Sequence, residues 1–388
     1  MFSSRLDWTT RPNPISRMLE ARRRAGETVL DLTESNPTHA GIDYPAEAIA
    51  EAFGDRRAVR YEPEPLGLES AREAVARYYA DAGVTVDPSR LVLTASTSEA
   101  YAWLFKLLAA PGDEVLTPRP SYPLFEFLAK LESVNVVQYP LFYDHGWRVD
   151  IAALRALVTR RTRAIVTVHP NNPTGSFLDR DELDELVAVA SEHGLALVSD
   201  EVFSDYWFER DAARVGVVAE VADVLSFSLS GLSKIVGLPQ MKLGWMMVGG
   251  PAELRRAALA RLEFIADTYL SVGTPVQLAA PALLEMRGGI QGQMRERLAR
   301  NLARLRAELA AAPEVRLLAV EGGWYATLQV PRVRSEEEWV LALLGERGVL
   351  VQPGFFYDFE SEAFLVVSLL TRPDVFDEGL RRLVERVC

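Results

Sequence analysis

The chain has one cysteine, Cys388, at its last position. A single thiol excludes an intramolecular disulfide framework and any site built from cysteine pairs, and it is compatible with a reducing compartment. Histidine is scarce as well. His39, His145, His169 and His193 are the only four in 388 residues, and they show no metal-ligand spacing. His169 is expected to be a hydrogen-bonded, half-buried residue. Positive charge is in deficit: 42 lysines and arginines face 54 acids, for a net charge of −12. That balance argues against nucleic acid or an anionic membrane as the main partner. No apolar run is long enough to cross a bilayer, and the opening MFSSRLDWTT has no apolar signal-peptide core, so the expected address is the cytoplasm. Walker A, GxGxxG and GxSxG sequences are all missing. Their absence removes the common phosphate loop, the dinucleotide fingerprint and the hydrolase nucleophile elbow.

What is present is alternation. Short β-branched runs, RLVLTAS (90–96), RAIVTVHP (163–170), LALVSDEV (195–202) and DVLSFSLS (223–230), are separated by helical patterns such as SEAYAWLFKLLAA (98–110) and DRDELDELVAVASEHG (179–194). Strand–helix alternation predicts an α/β fold with a mostly parallel sheet covered on both faces. After residue 285 the pattern changes to a long charged helix (291–311), strand-like GGWYATLQVP (322–331), helical EEEWVLALLGERG (336–348), strand-like FLVVSLL (364–370) and a last amphipathic helix (374–387). The division expected is a large unit over 46–285 and a smaller α+β unit over 1–45 plus 286–388.

In such sheets ligands sit at the carboxyl ends of the strands. Ser96, Thr97 and Ser98 follow one strand and open a helix, where N–H groups and hydroxyls suit a phosphate. On that segment alone a plain N-cap carries more weight. NNPTG at 171–175 is a turn that also brings Asn172. Asp200 ends a very apolar strand, and a buried carboxylate there calls for a cation or a ring N–H. An ordinary helix-capping aspartate is its other reading. Lys234 stands in SGLSKIVGLPQMKLGW (230–245), among residues small enough for close backbone approach to a ligand. Together these supply a phosphate cradle, a ring-facing carboxylate, an amide and an amine, which is what holding pyridoxal phosphate requires.

From Leu32 to the C-terminus the chain resembles fold-type I pyridoxal-phosphate enzymes of the class I/II aminotransferase family. The resemblance rests on the order of Tyr61 with Gly67, Ser96–Ser98, Tyr122, Asn172, Asp200, Lys234 and Lys242. It implies an aspartate aminotransferase-like fold and a Schiff base on Lys234, which also moves the proton. Asp200 is implied to hold the pyridine nitrogen protonated, Asn172 to bond the phenolic oxygen and Tyr122 to stack on the ring. Ser96, Thr97 and Ser98 match the phosphate loop. Tyr61 matches a tyrosine that reaches the neighbouring subunit's cofactor, which implies a homodimer. The Asn172–Pro173 bond is expected to be cis.

Four positions depart from the family pattern. Lys242 stands where an arginine usually grips the phosphate, and a lysine loses the bidentate fork. Phe203 replaces a tyrosine that donates to the phenolic oxygen. Gly231 stands where many relatives have a phosphate-binding serine, with Ser230 as a substitute. Val366 falls where the family's strand carries the arginine that clamps the substrate carboxylate, and Arg372 is the nearest replacement or a surface arginine. Ser35, Asn36, Trp324 and Tyr325 are expected to line the pocket, although core packing accounts for them equally well. The expected activity is transamination between an amino acid and a 2-oxo acid. A C–S (β-elimination) lyase or a synthase of a modified amino acid is the alternative, and a non-catalytic amino-acid sensor a distant third.

Overall fold

The segment Asp179–Gly194 shows how the sequence writes an element here. In the computed structural model, which describes every residue except Met1, Thr10, Ala212 and Glu362, it is an α-helix over Arg180–His193. Asp179 caps it by accepting from Glu182 N, and Glu182 reaches back to the Asp179 N–H, a reciprocal capping box. Gly194 ends it in the left-handed region at φ 66°, where a side chain is disfavoured. The buried stripe Leu186, Val189 and Ala190 packs under the sheet.

The large sheet has eight strands: β1 (Leu91–Thr94), β2 (Glu114–Arg119), β3 (Asn135–Tyr143), β4 (Trp147–Val149), β5 (Thr162–Val168), β6 (Ala196–Asp200), β7 (Ser226–Gly231) and β8 (Gly244–Gly249). Their order is β1-β8-β7-β6-β5-β2-β3-β4. The β7-β6-β5-β2-β3 stretch is parallel, while β8 runs antiparallel between β1 and β7, and β4 antiparallel at the edge. Strands β6 and β7 are buried along their whole length. Val198, Phe227, Leu229 and Met246 pack against the helices Thr97–Leu108 and Ala252–Tyr269, and Ile165 and Leu197 against the helix Arg180–His193. Coverage on both faces explains why these strands read as near-continuous apolar runs.

A second, antiparallel sheet is formed by β9 (Arg316–Leu317), β10 (Tyr325–Gln329), β11 (Gln352–Pro353) and β12 (Phe364–Ser368), in the order β9-β10-β12-β11. Leu328 of β10 and Leu365 and Val367 of β12 join a core with Leu302 and Leu305 of the helix Arg287–Leu309 and Leu380 and Leu383 of the helix Pro373–Val387. Leu30–Asp31 pairs in parallel with Val349–Leu350, which ties the N-terminal segment to this part of the chain. The helix expected over 336–348 holds as an α-helix over Glu336–Ala342 and continues as a π turn to Arg347, closed by Gly348 at φ 66°.

Candidate active site

Strands β1, β5, β6 and β7 point the same way, so the residues after each of them meet at one edge of the sheet. They line one cavity of about 760 Å³. Ser96, Thr97, Ser98, Tyr122, Asn172, Asp200, Phe203, Lys234 and Lys242 all border it, together with Ser35 and Tyr325.

Ser96 caps the helix Thr97–Leu108 by accepting from Glu99 N at 3.2 Å. The plain N-cap is therefore real, and it leaves the rest of the first turn open. The N–H groups of Thr97 and Ser98 make no hydrogen bond among the described residues. Free N–H groups at a twelve-residue helix's positive end, with two hydroxyls beside them, form an anion cradle. Lys242, just before β8 and also bordering the cavity, adds a positive charge from a backbone held at φ 53°.

Asp200 is 7% exposed. Burial pushes its carboxyl up to about 6, against the pull of the Val202 N–H, the Tyr101 hydroxyl and the Lys234 amine. Burial also lowers the Lys234 ammonium to about 8, with Asp200 opposing. Its Nζ lies 4.8 Å from the Trp324 ring centre and 5.4 Å from that of Phe203. An amine walled by rings, with a lowered pKa, is neutral for a useful fraction of molecules near pH 8 and so is a nucleophile. The backbone around it is pinned: Tyr206 Oη donates to the Lys234 carbonyl at 2.6 Å, and Gln291 Nε2 to the Ile235 carbonyl at 2.8 Å.

Asn172 is buried and its Oδ1 has no partner. The peptide before Pro173 is cis, as expected, and so are those before Pro120 and Pro170. At Gly231 a Cβ would come within 2.9 Å of Gly244 Cα and 3.0 Å of the Leu243 carbonyl. Close pairing of β7 with β8 thus requires the glycine that departs from the family pattern.

Several expectations need correction. Arg372 does not border the cavity; its guanidinium is 58% exposed and pairs with Asp374, so the surface reading holds. Asn36 folds back on its own turn, accepting from the Thr38 N–H and hydroxyl. Trp324 is wholly buried behind Lys234 rather than lining the cavity. Ser230 is buried with an unpartnered Oγ and does not border the cavity, whereas Ser233 does. His169 is fully, not half, buried: Nδ1 accepts from Leu178 N, Nε2 meets the Val215 carbonyl, and burial lowers it to about 4. Tyr61 is 80% exposed and stands away from this chain's own cavity. Sequence reasoning missed Tyr101, Ser233, Gln352 and Tyr357. The strand-end rule signals Ser233, whereas Gln352 and Tyr357 reach the cavity only through tertiary packing.

The model of the aminotransferase class I and II family matches residues 27–386. The chain belongs to that family. It is 31% identical over 281 residues to the glutamate-pyruvate aminotransferase AlaA of Escherichia coli K12, covering 72% of this chain and 68% of the other. The alanine aminotransferase of Pyrococcus furiosus superposes with a TM-score of 0.89 at 25% identity, over 100% of this chain and 99% of that one. A mutant of the aspartate aminotransferase of Thermus thermophilus gives 0.86 at 25% identity, over the full length of both chains. The fold is aspartate aminotransferase-like, and the chain is a pyridoxal-phosphate-dependent aminotransferase, moving an amino group between an amino acid and a 2-oxo acid.

The residues present fit that cofactor. Two open helix N–H groups and Lys242 suit its phosphate, the amide nitrogen of Asn172, a side chain that borders the cavity, suits its phenolic oxygen as a donor, and the buried carboxyl of Asp200 suits its ring nitrogen.

Proposed function

We propose that Lys234 carries the transamination chemistry, with Asp200, Asn172, Tyr122 and the Ser96–Ser98 turn holding the cofactor around it. The observation that carries this reading is the buried, pKa-lowered amine of Lys234 facing the same cavity as Asp200. Pyridoxal phosphate supplies an aldehyde for an amine to condense with and a protonated ring that draws electrons from the substrate carbon. The chain's own groups do the rest. Asp200, as a carboxylate, keeps a proton on the ring nitrogen by charge. Lys234, once its amine is free, takes the proton from the substrate's reacting carbon and returns it one position away. Phe203 and Tyr122 exclude water from the ring's surroundings.

By analogy with the named relatives, alanine, glutamate, pyruvate and 2-oxoglutarate are the first donors and acceptors to try. The working unit is read as a homodimer in which Tyr61 serves the neighbouring cofactor. Val59, Tyr61 and Phe264 are 88%, 80% and 76% exposed, which leaves large apolar side chains bare on a single chain. The large unit (46–285) then holds the cofactor, and the small unit (1–45 plus 286–388) supplies the wall opposite Lys234. Borohydride reduction of the loaded protein followed by peptide mapping tests the central assignment. The adduct is expected on Lys234; an adduct on any other residue overturns it.

A further inference from the structure

The cavity's second wall comes from the small sheet. Thr327 stands opposite Val366, Gln352 also opposite Val366, and Tyr325 opposite Ser368. Alternation along the strands places Tyr325, Thr327, Val366 and Gln352 on one face, while Ala326, Leu328, Leu365 and Val367 face the core. Tyr325 and Gln352 border the cavity, joined by Tyr357 from the turn after β11.

This wall carries no positive charge. The cations among the residues lining the cavity are Lys234 and Lys242, both on the sheet-end side, and no arginine lines it among the described residues. Val366 offers no polar atom, and Tyr325 is already hydrogen-bonded with Ser35. Gln352 is different. The Tyr357 hydroxyl donates to its Oε1, and its amide nitrogen has no partner among the described residues. Burial holds the Tyr357 phenol well above its ordinary pKa, so this O–H stays protonated and keeps the amide in place. Two strands away on the same face, the buried Thr327 Oγ1 is also unpartnered. Any substrate whose reacting carbon meets Lys234 presents another of its substituents to this wall.

Resting on the assignment of Lys234, we propose that Gln352, oriented by Tyr357, is a specificity-determining residue that binds the carboxyl-derived group on the donor's reacting carbon through its neutral amide. The site then ranks donors by hydrogen-bonding fit, and a carboxamide is accepted beside a carboxylate.

The test uses the loaded enzyme and the L-amino acid that bleaches the cofactor's visible band fastest, together with that amino acid's carboxamide. Apparent affinity and limiting rate are read for each. Equilibrium binding of 2-methylalanine, which has no hydrogen to lose, gives a readout without turnover. For wild type, acid and amide are expected to bind within about tenfold of each other, the difference neutral hydrogen bonds support. Gln352→Leu should weaken both by about tenfold with a limiting rate within about threefold. Gln352→Glu should weaken the acid and 2-methylalanine by roughly 100-fold, because like charges then face each other, and leave the amide within about threefold. Tyr357→Phe, a second variant, should move the same affinities by about threefold. A wild-type preference for the acid above about 100-fold overturns the proposal, and so do Gln352 variants that fold and keep wild-type affinities. A wild-type enzyme whose band no amino acid bleaches overturns the aminotransferase reading beneath it, a result distinguishable from both.

Discussion

The two walls of the cavity are built on opposite principles. The sheet-end wall is charged and locally dictated: a helix start, a buried carboxyl and a buried amine, each fixed by its own strand. The small-sheet wall is neutral and assembled at long range. Gln352, Tyr357 and Tyr325 come from three segments, brought together by antiparallel pairing. The first is suited to a cofactor that stays in one place while substrates come and go. The second is suited to a succession of donors and acceptors. Changes to the first wall should therefore remove chemistry, and changes to the second should redistribute substrates.

The largest effect expected is at Lys234. Lys234→Ala should cut the half-reaction with any donor by roughly 10⁴-fold or more, because under the proposed assignment it removes the nucleophile and the proton carrier together. Single-turnover loss of the cofactor band measures it. Added small amines should restore part of the rate if a missing proton carrier is the main defect. Next comes Asp200→Asn, which keeps the shape and removes the charge. Breaking a buried ionic partnership costs about 3–5 kcal/mol, or roughly 10²- to 10⁴-fold in the half-reaction rate. Stopped-flow with a fixed donor checks it, and a wild-type rate would remove Asp200 from ring-nitrogen pairing.

A smaller effect is set by pH. In the cofactor-free protein the Lys234 ammonium titrates at about 8, lowered by burial. Only the neutral amine attacks an aldehyde, so cofactor uptake should rise about tenfold per pH unit below 8 and level off above it. The same shift has a stability sign. The unfolded chain binds this proton more tightly than the folded one between about 8 and the ordinary lysine value of 10.5, so the Lys234 contribution to stability increases with pH across that window. Uptake rates followed by absorbance from pH 6 to 9.5 test the first statement. A flat profile would mean that the amine is not the group that limits loading.

The contrast between the walls also explains what the sequence made legible. Asp200, Lys234 and Ser96–Ser98 were readable because each ends a strand or follows one by two to four residues, and the carboxyl ends of parallel strands face one edge. The helix Arg180–His193 was readable to within a residue because its caps are local chemistry. Strands β2, β3, β4 and β8 were not singled out. Of these, β8 runs antiparallel inside a mostly parallel sheet, an arrangement that short-range patterning does not encode. Gln352 and Tyr357 were illegible for the same reason. Val351, Gln352 and Pro353 look like part of a loop until the pairing of Gln352 with Val366 places them. Trp324 had two readings of equal weight, pocket lining and core packing, and the fold decides for the second: the chain turns it inward against Phe203 and Tyr206.

The smallest expected effect is at Arg372, and it separates proximity in sequence from proximity in space. Arg372 lies six residues beyond Val366, which made it the nearest substitute for the missing clamp. In the fold it stands just before the helix Pro373–Val387 without capping it, its aliphatic stem lies near Gly41, and its guanidinium pairs with Asp374 at the surface. An exposed pair of this kind is worth at most about 1 kcal/mol, and none of that is spent on substrate. Arg372→Ala should therefore leave the affinity for a carboxylate donor within about twofold of wild type while lowering thermal stability by no more than a few degrees. Donor titrations of the variant beside Gln352→Glu give the comparison its sharpest form. A large loss at position 372 with none at 352 would mean that the small-sheet wall closes differently around a bound substrate, and that a charge outside the cavity is drawn into it.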